Sequence, residues 1–215
     1  MNSLFEVYDP YTFFMDLSLN WFPVVGLFFA GVSEFWVLGS ASLLCFSGLA
    51  NSLVKEFSNF YDFKKIKSSM ILFVSLFFFL LIINILGLIP YVFSCSSHFV
   101  FSMSLGLPMW ISFFLLSFFL FTKSSFAHLV PTGTPLVLIS FMAVIEGISS
   151  LIRPWSLGIR LMANMISGHL LMSLLGDCGL GFLIIQFGLF IFEFFVCFIQ
   201  AFVFSALLTL YSSEI

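Results

Sequence analysis

IEGISSLIRPWSLGIRLMANMISGHLLMSLL, Ile145–Leu175, is the stretch that decides how this chain is read. It is long and apolar enough to cross a membrane, yet it carries Glu146, Arg153, Arg160, Asn164 and His169. A hydrocarbon interior penalises a central Arg by ~3 kcal/mol on insertion scales and by more in simulations. Ionisable residues at that depth are therefore rare and are held for function, and a second acid follows at Glu193.

The whole chain agrees with a membrane setting. Of its 215 residues 61% are hydrophobic and 8% charged, against about 25% charged in soluble domains, and the mean hydropathy is +1.20. No water-soluble fold hides so much apolar surface, so an all-α polytopic membrane protein is expected. The net charge of −3 shows no basic excess and argues against nucleic acid as a partner. Cys45, Cys95, Cys178 and Cys197 are scattered, with no CxxC or Cys/His cluster, so neither a metal nor another cofactor is expected. Cys95 and Cys178 fall in loops on one side, which leaves a disulfide between them open. The acidic opening MNSLFEVYDPYTFF lacks the basic region of a secretory signal or transit peptide, so the chain is expected either to insert by its own helices or to be made inside the compartment whose membrane it enters.

Working outward, the chain reads as one membrane domain, 1–215. A first span is expected at 17–38, flanked by Trp21 and Trp36, with Glu34 near its inner end as a surface-facing acid. Residues 41–61 differ in kind. Leu43, Phe46, Ala50, Leu53, Phe57 and Phe60 recur at helical spacing, and Ser47, Asn51, Lys55, Glu56 and Asn59 fall largely opposite. That pattern predicts an amphipathic helix lying on the membrane surface. Lys64, Lys65 and Lys67 follow, and the positive-inside rule puts them on the inner side and the N-terminus outside. Spans at 70–90 and 99–121 form an upright pair, the second kinked at Pro108. His98 and His128 lie in or beside loops and read as solvated.

Residues 136–175 would extend ~60 Å as a helix and residues 181–211 ~46 Å, at 1.5 Å per residue. Both exceed the ~30 Å hydrocarbon core. Either the first breaks at Pro154 into two short spans, or it is one long tilted helix. Two neighbours of similar excess favour a long, tilted hairpin, which gives five membrane helices plus the surface helix and a C-terminus inside.

On an ideal helix Glu146, Arg153 and Arg160, seven apart, share a face that Asn164 continues, while His169 turns to the opposite side. Gln186, Glu193 and Gln200 are likewise seven apart, so the two long helices carry matching polar stripes. The bland readings are a snorkelling Arg153, a satisfied core His169, a protonated packing acid at Glu193, and interhelical hydrogen bonds for Gln186, Gln200, Asn164 and Asn84. The sharper one is that His and Glu exchange protons near neutrality whereas Arg stays charged, so the set suits proton conduction beside a fixed cation. No nucleophile–base pair or phosphate loop points to an enzyme acting alone.

RPWSLGIRLMANMISGHLL (Arg153–Leu171) resembles the R-L-x-x-N-M-x-x-G-H/E signature of subunit a of the rotary (F-type) ATP synthase membrane sector. FEFFVCFIQAFVFSALLTLYSSE (Phe192–Glu214) is similar to that family's ending, and NILGLIPYVF (Asn84–Phe93) and AHLVPTGTP (Ala127–Pro135) resemble its mitochondrial, animal-type branch. The resemblance covers about Leu53 to the end. It implies that Arg160 is the essential charge facing the c-ring. It also implies that His169 and Glu193 line the outer half-channel, that Asn164 and Gln200 sit close to the arginine, and that Glu146 lies near the matrix-side half-channel. Implied partners are the c-ring, peripheral-stalk and other membrane-sector subunits, and lipid, in the mitochondrial inner membrane. Arg153, Asn84 and Gln186 are further candidates. The alternative is a secondary proton/ion transporter with its own midplane site, which predicts internal repeats and paired broken helices. The two halves differ in charge and length.

Overall fold

The computed structural model describes residues 8–11, 17–24, 41–60, 69–90, 92–120, 122, 135 and 138–213. Among these there are helices and turns and no strand. Numbered in chain order, the helices are α1 (Ala41–Phe60), α2 (Ser69–Leu88), α3 (Phe99–Leu120), α4 (Ile139–Asp177) and α5 (Leu183–Ser213). Four of them, α2 to α5, are long and apolar enough to cross a membrane. The expected first span lies mostly outside the described residues: only a short turn at Leu19–Trp21 and helical residues 22–24 represent it. Glu34 and His128 lie outside them too.

Local chemistry sets these boundaries. α2 is apolar around its whole circumference, the pattern of a helix surrounded by protein and lipid. It ends just before Pro90, where the missing N–H and the ring disfavour another turn. The connection to α3 carries a tight turn at Cys95–Ser97, in which Ser97 Oγ donates to the Ser94 carbonyl at 2.6 Å. α3 continues through Pro108. In α1, Phe57 is buried while Ser47, Asn51, Lys55, Glu56 and Asn59 are exposed, as its amphipathic pattern requires.

α4 is one continuous helix of 39 residues, about 58 Å at 1.5 Å per residue, and it runs through Pro154 instead of breaking there. Its buried positions, Pro154, Leu157, Gly158, Leu161, Met165 and Gly168, follow the three-four spacing of a single face. α5 has 31 residues and folds back after a turn in which Gly179 has φ of 92°, a left-handed conformation that glycine adopts without a Cβ clash.

α5 packs on α2, α3 packs on α4, and α4 also meets α5. Phe57, Phe73, Phe77, Leu80, Leu157, Leu161, Ala201, Phe204 and Leu208 form the main core. Phe57 stacks on Phe202 with ring centroids 5.9 Å apart and so ties α1 to α5. Inside a bilayer such a core is held by close packing and dispersion, because lipid tails are as apolar as leucine. The outer surface is equally greasy, with Ile184 87% and Phe119 80% exposed. That is the expected condition of lipid-facing side chains and would be untenable in water.

Two expectations change. Cys95 and Cys178 are both free, Cys95 buried and Cys178 exposed, so the loops carry no bridge. Burial pushes the Cys95 thiol up to about 11, well away from a reactive thiolate. His98 is not solvated. It packs between Trp21 and Phe93, at 5.2 and 5.0 Å between centroids, and its Nε2 is buried with no hydrogen-bond partner among the described residues. The aromatics around the Cys95–Ser97 turn close over it, which a loop position in sequence gives no sign of.

Candidate functional site

Two groups of polar side chains form, at opposite ends of the α4–α5 pair. In the first half of α4, Arg153 Nη2 donates to Glu146 Oε1 at 3.2 Å, seven residues back along the same face. The Arg153 guanidinium also lies 5.3 Å over the ring of Tyr211, near the end of α5. Both charges are only partly buried, the Arg153 side chain 29% and the Glu146 side chain 44% exposed. One cation is thus held by an acid on its own helix and by the electron-rich face of an aromatic on the next.

At the hairpin end the centre is His169. Its ring faces the carbonyl of Gly87 on α2, its Nε2 is buried without a partner among the described residues, and the ring of Tyr8 meets it in a T-shaped contact at 6.4 Å. A cavity of about 530 Å³ opens beside it, bounded by the α2 end at Pro90 and Val92 and by Gln186 and Phe190 of α5. Glu193 is only 6% exposed, and its carboxylate lies against the backbone of Gly168, the residue before His169. A Cβ at Gly168 would fall on that carboxylate, so glycine is what lets α5 bring the acid in. Cys197, one turn on, adjoins Glu193, and its thiol donates to the Asn84 carbonyl at 3.8 Å. Asn84 is 1% exposed with both side-chain amide atoms unpartnered among the described residues.

Between the two groups sits Arg160. It is exposed and has no ion-pair or hydrogen-bond partner among the described residues. Asn164 is half-buried and Gln200 buried, and neither bonds to it. The polar stripes therefore differ in their surroundings. Glu193 and Gln200 on α5 are buried in the bundle with Gln186 half-buried above them, whereas the α4 stripe turns outward at Arg160. Spacing reveals which residues share a face but not which way the face points.

The sequence marks neither Tyr8 nor Tyr211 as functional, His98 reads there as solvated, and Gly168 enters only as the glycine of the quoted motif. Gly168 had a signal in retrospect, a glycine beside an intramembrane histidine; Tyr8 had none. No group of three or more His, Cys, Asp or Glu suited to a metal ion occurs among the described residues.

The fold and this arrangement define a class, a multi-pass helical membrane protein that keeps ionisable groups both inside its bundle and on one outward helix face. Comparison with known proteins supplies the family. The profile described as ATP synthase A chain matches residues 43–213. The chain is 42% identical over 225 residues to ATP synthase subunit a of Anopheles gambiae, covering 100% of this chain and 99% of the relative. It is 44% identical over 214 residues to ATP synthase F(0) complex subunit a of Rhopalosiphum padi, with 99% of each covered. Identity to the Locusta migratoria subunit a is 43% over 224 residues, with 100% of this chain and 99% of the relative covered. The chain belongs to the ATP synthase A chain family. The similarity to these relatives includes the first forty residues, which the sequence motifs alone did not cover.

Proposed function

We propose that this chain is the proton-conducting stator subunit of an ATP synthase in the mitochondrial inner membrane. In this reading two offset half-channels carry protons to and from carboxylates on a c-ring, and the ring's rotation is coupled to ATP synthesis. One observation carries it: Arg160 stands on the outward side of α4 with no acid to pair with among the described residues, while His169, rotated about half a turn around the helix axis, faces the bundle, where the Glu193 carboxylate lies against the neighbouring Gly168. A guanidinium in low dielectric attracts any nearby anion strongly, and the family supplies such an anion on a partner.

A proton enters from the outer side through the cavity beside His169 and passes by His169 and Glu193 to an ionised ring carboxylate. The carboxyl, now neutral, can move into lipid at small desolvation cost. After nearly a full turn the same carboxyl reaches the matrix-side path, near Glu146 at the far end of α4, and loses its proton there. Arg160 then holds the ionised carboxylate and separates the two paths, since a guanidinium does not give up its proton. Asn164, Gln200, Asn84 and Gln186 supply hydrogen-bonding groups along the way, and Arg153 holds Glu146 in place. The long hairpin tilts to follow the ring, the N-terminus lies in the intermembrane space and the C-terminus in the matrix. Peripheral-stalk and other membrane-sector subunits and lipid cover the remaining surface.

The test is Arg160→Ala in the assembled complex. It should abolish proton-driven ATP synthesis while the subunit still inserts and co-purifies with the ring. Synthesis at the normal rate would end the assignment.

A further inference from the structure

We propose that Tyr8 is a positioning residue for proton uptake: residues 8–11 form a strap fastened at the edge of the outer cavity, with Tyr8 in its wall, and the Tyr8 ring fixes the orientation of His169. This rests on the functional reading above. The strap is anchored at several independent points. Tyr8 Oη donates to the Ile166 carbonyl on α4 at 3.2 Å, across 158 residues of sequence. The Tyr8 backbone carbonyl accepts from His98, itself clamped by Trp21 and Phe93. Asn20 Nδ2 donates to the Asp9 carbonyl at 3.1 Å. With its backbone and hydroxyl both held, the Tyr8 ring meets His169 at 83°, the edge-to-face geometry aromatic rings prefer.

The consequence for chemistry is specific. His169 Nε2 is buried and unpartnered among the described residues, and Tyr8 is part of the wall of the cavity that reaches it. An imidazole relays a proton only if each nitrogen points at its donor or acceptor. The Gly87 carbonyl fixes the ring from α2, and Tyr8 fixes it from the strap. The other titratable groups close by are Glu193 against Gly168 and Cys197 beside Glu193, both on α5, and His98 beyond Tyr8. Gln186 is the neutral polar group across the cavity.

The experiment uses the whole ATP synthase in sealed vesicles, with proton-driven ATP synthesis followed as the pH on the outer side is varied. Tyr8→Leu and Tyr8→Ala remove the ring; Tyr8→Phe keeps it and removes only the hydroxyl. Both ring-less variants should lower the rate about threefold or more and move the midpoint of the pH profile by about half a unit. Tyr8→Phe should keep the wild-type midpoint and most of the rate. A wild-type midpoint in the ring-less variants overturns the proposal, whatever happens to the rate, because a merely structural strap would scale the curve without moving it. An equal shift in Tyr8→Phe overturns it as well, by assigning the effect to the hydroxyl. Arg160→Ala, run alongside, separates the two levels. Continued synthesis there removes the functional reading, whereas a dead Arg160→Ala with unmoved Tyr8 variants removes only the role of Tyr8.

Discussion

Arg153 and Arg160 share a helix face, are seven residues apart and carry the same charge, yet their surroundings are opposite. Arg153 has Glu146 at 3.2 Å and the Tyr211 ring at 5.3 Å. Arg160 has neither an acid nor a ring among the described residues. A cation compensated within its own chain is explained by that chain. A cation left uncompensated on a membrane-facing helix costs too much to keep unless something outside the chain pairs with it. The contrast turns two similar sequence positions into one internal fastening and one outward surface for which we propose a partner.

The largest expected effect breaks the pair apart. In the assembled complex Arg160→Ala should leave no measurable proton-driven synthesis, whereas Arg153→Ala should keep activity within about tenfold of wild type, since it loses a partly exposed ion pair. Equal loss in both, measured as ATP formed under an imposed pH gradient, would erase the distinction.

Next in size is the acid at the hairpin end. Gly168→Ala puts a methyl where the Glu193 carboxylate lies, so it should cut proton flux about tenfold or more, to the level of Glu193→Gln. Gly176→Ala, about two turns nearer the hairpin on the same helix, is the control. Its Cβ meets only Gln186 Nε2 at an ordinary 3.8 Å, and flux should stay near wild type. Equal flux in the two alanine variants would detach Glu193 from the path.

The Arg153–Glu146 pair should show a modest coupling. A double-mutant cycle of Arg153→Met and Glu146→Gln, read by thermal stability of the purified complex, should give about 0.5–1 kcal/mol, appropriate to a partly exposed pair. Zero coupling would make the contact incidental.

The smallest effect concerns the strap. Burial lowers the pKa of His98 below its usual 6.5, and the Tyr8 carbonyl opposes this only in part. The neutral form is thus favoured when the strap is docked. The stabilisation is fully present above pH about 6.5 and falls as pH drops through and below that value, because the undocked form then binds the proton first. Amide-exchange protection at residues 8–11, corrected for the intrinsic pH dependence of exchange, should fall on acidification below pH 6.5; protection that rises instead would reverse the sign.

Much of this was legible in the sequence, for physical reasons. The excess length of the last two hydrophobic stretches forced long helices, and the seven-residue spacings placed Glu146, Arg153 and Arg160 on one face with His169 opposite. What the sequence withheld is just as physical. In a membrane, apolar faces toward lipid and toward protein have the same composition, so nothing marked the α5 stripe as buried and the α4 stripe as outward. The Tyr8–His169 contact joins residues 161 positions apart with no periodic pattern to announce it. His98 looked solvated because its covering rings, Trp21 and Phe93, come from different segments.

The most direct measurement is a structure of the intact ATP synthase containing this chain, resolved well enough to place side chains at α4. The account predicts that the Arg160 face lies against a ring of helices, with the guanidinium nearest a ring carboxylate and His169 turned away from it. Arg160 facing lipid, or paired with an acid of its own chain, would contradict it.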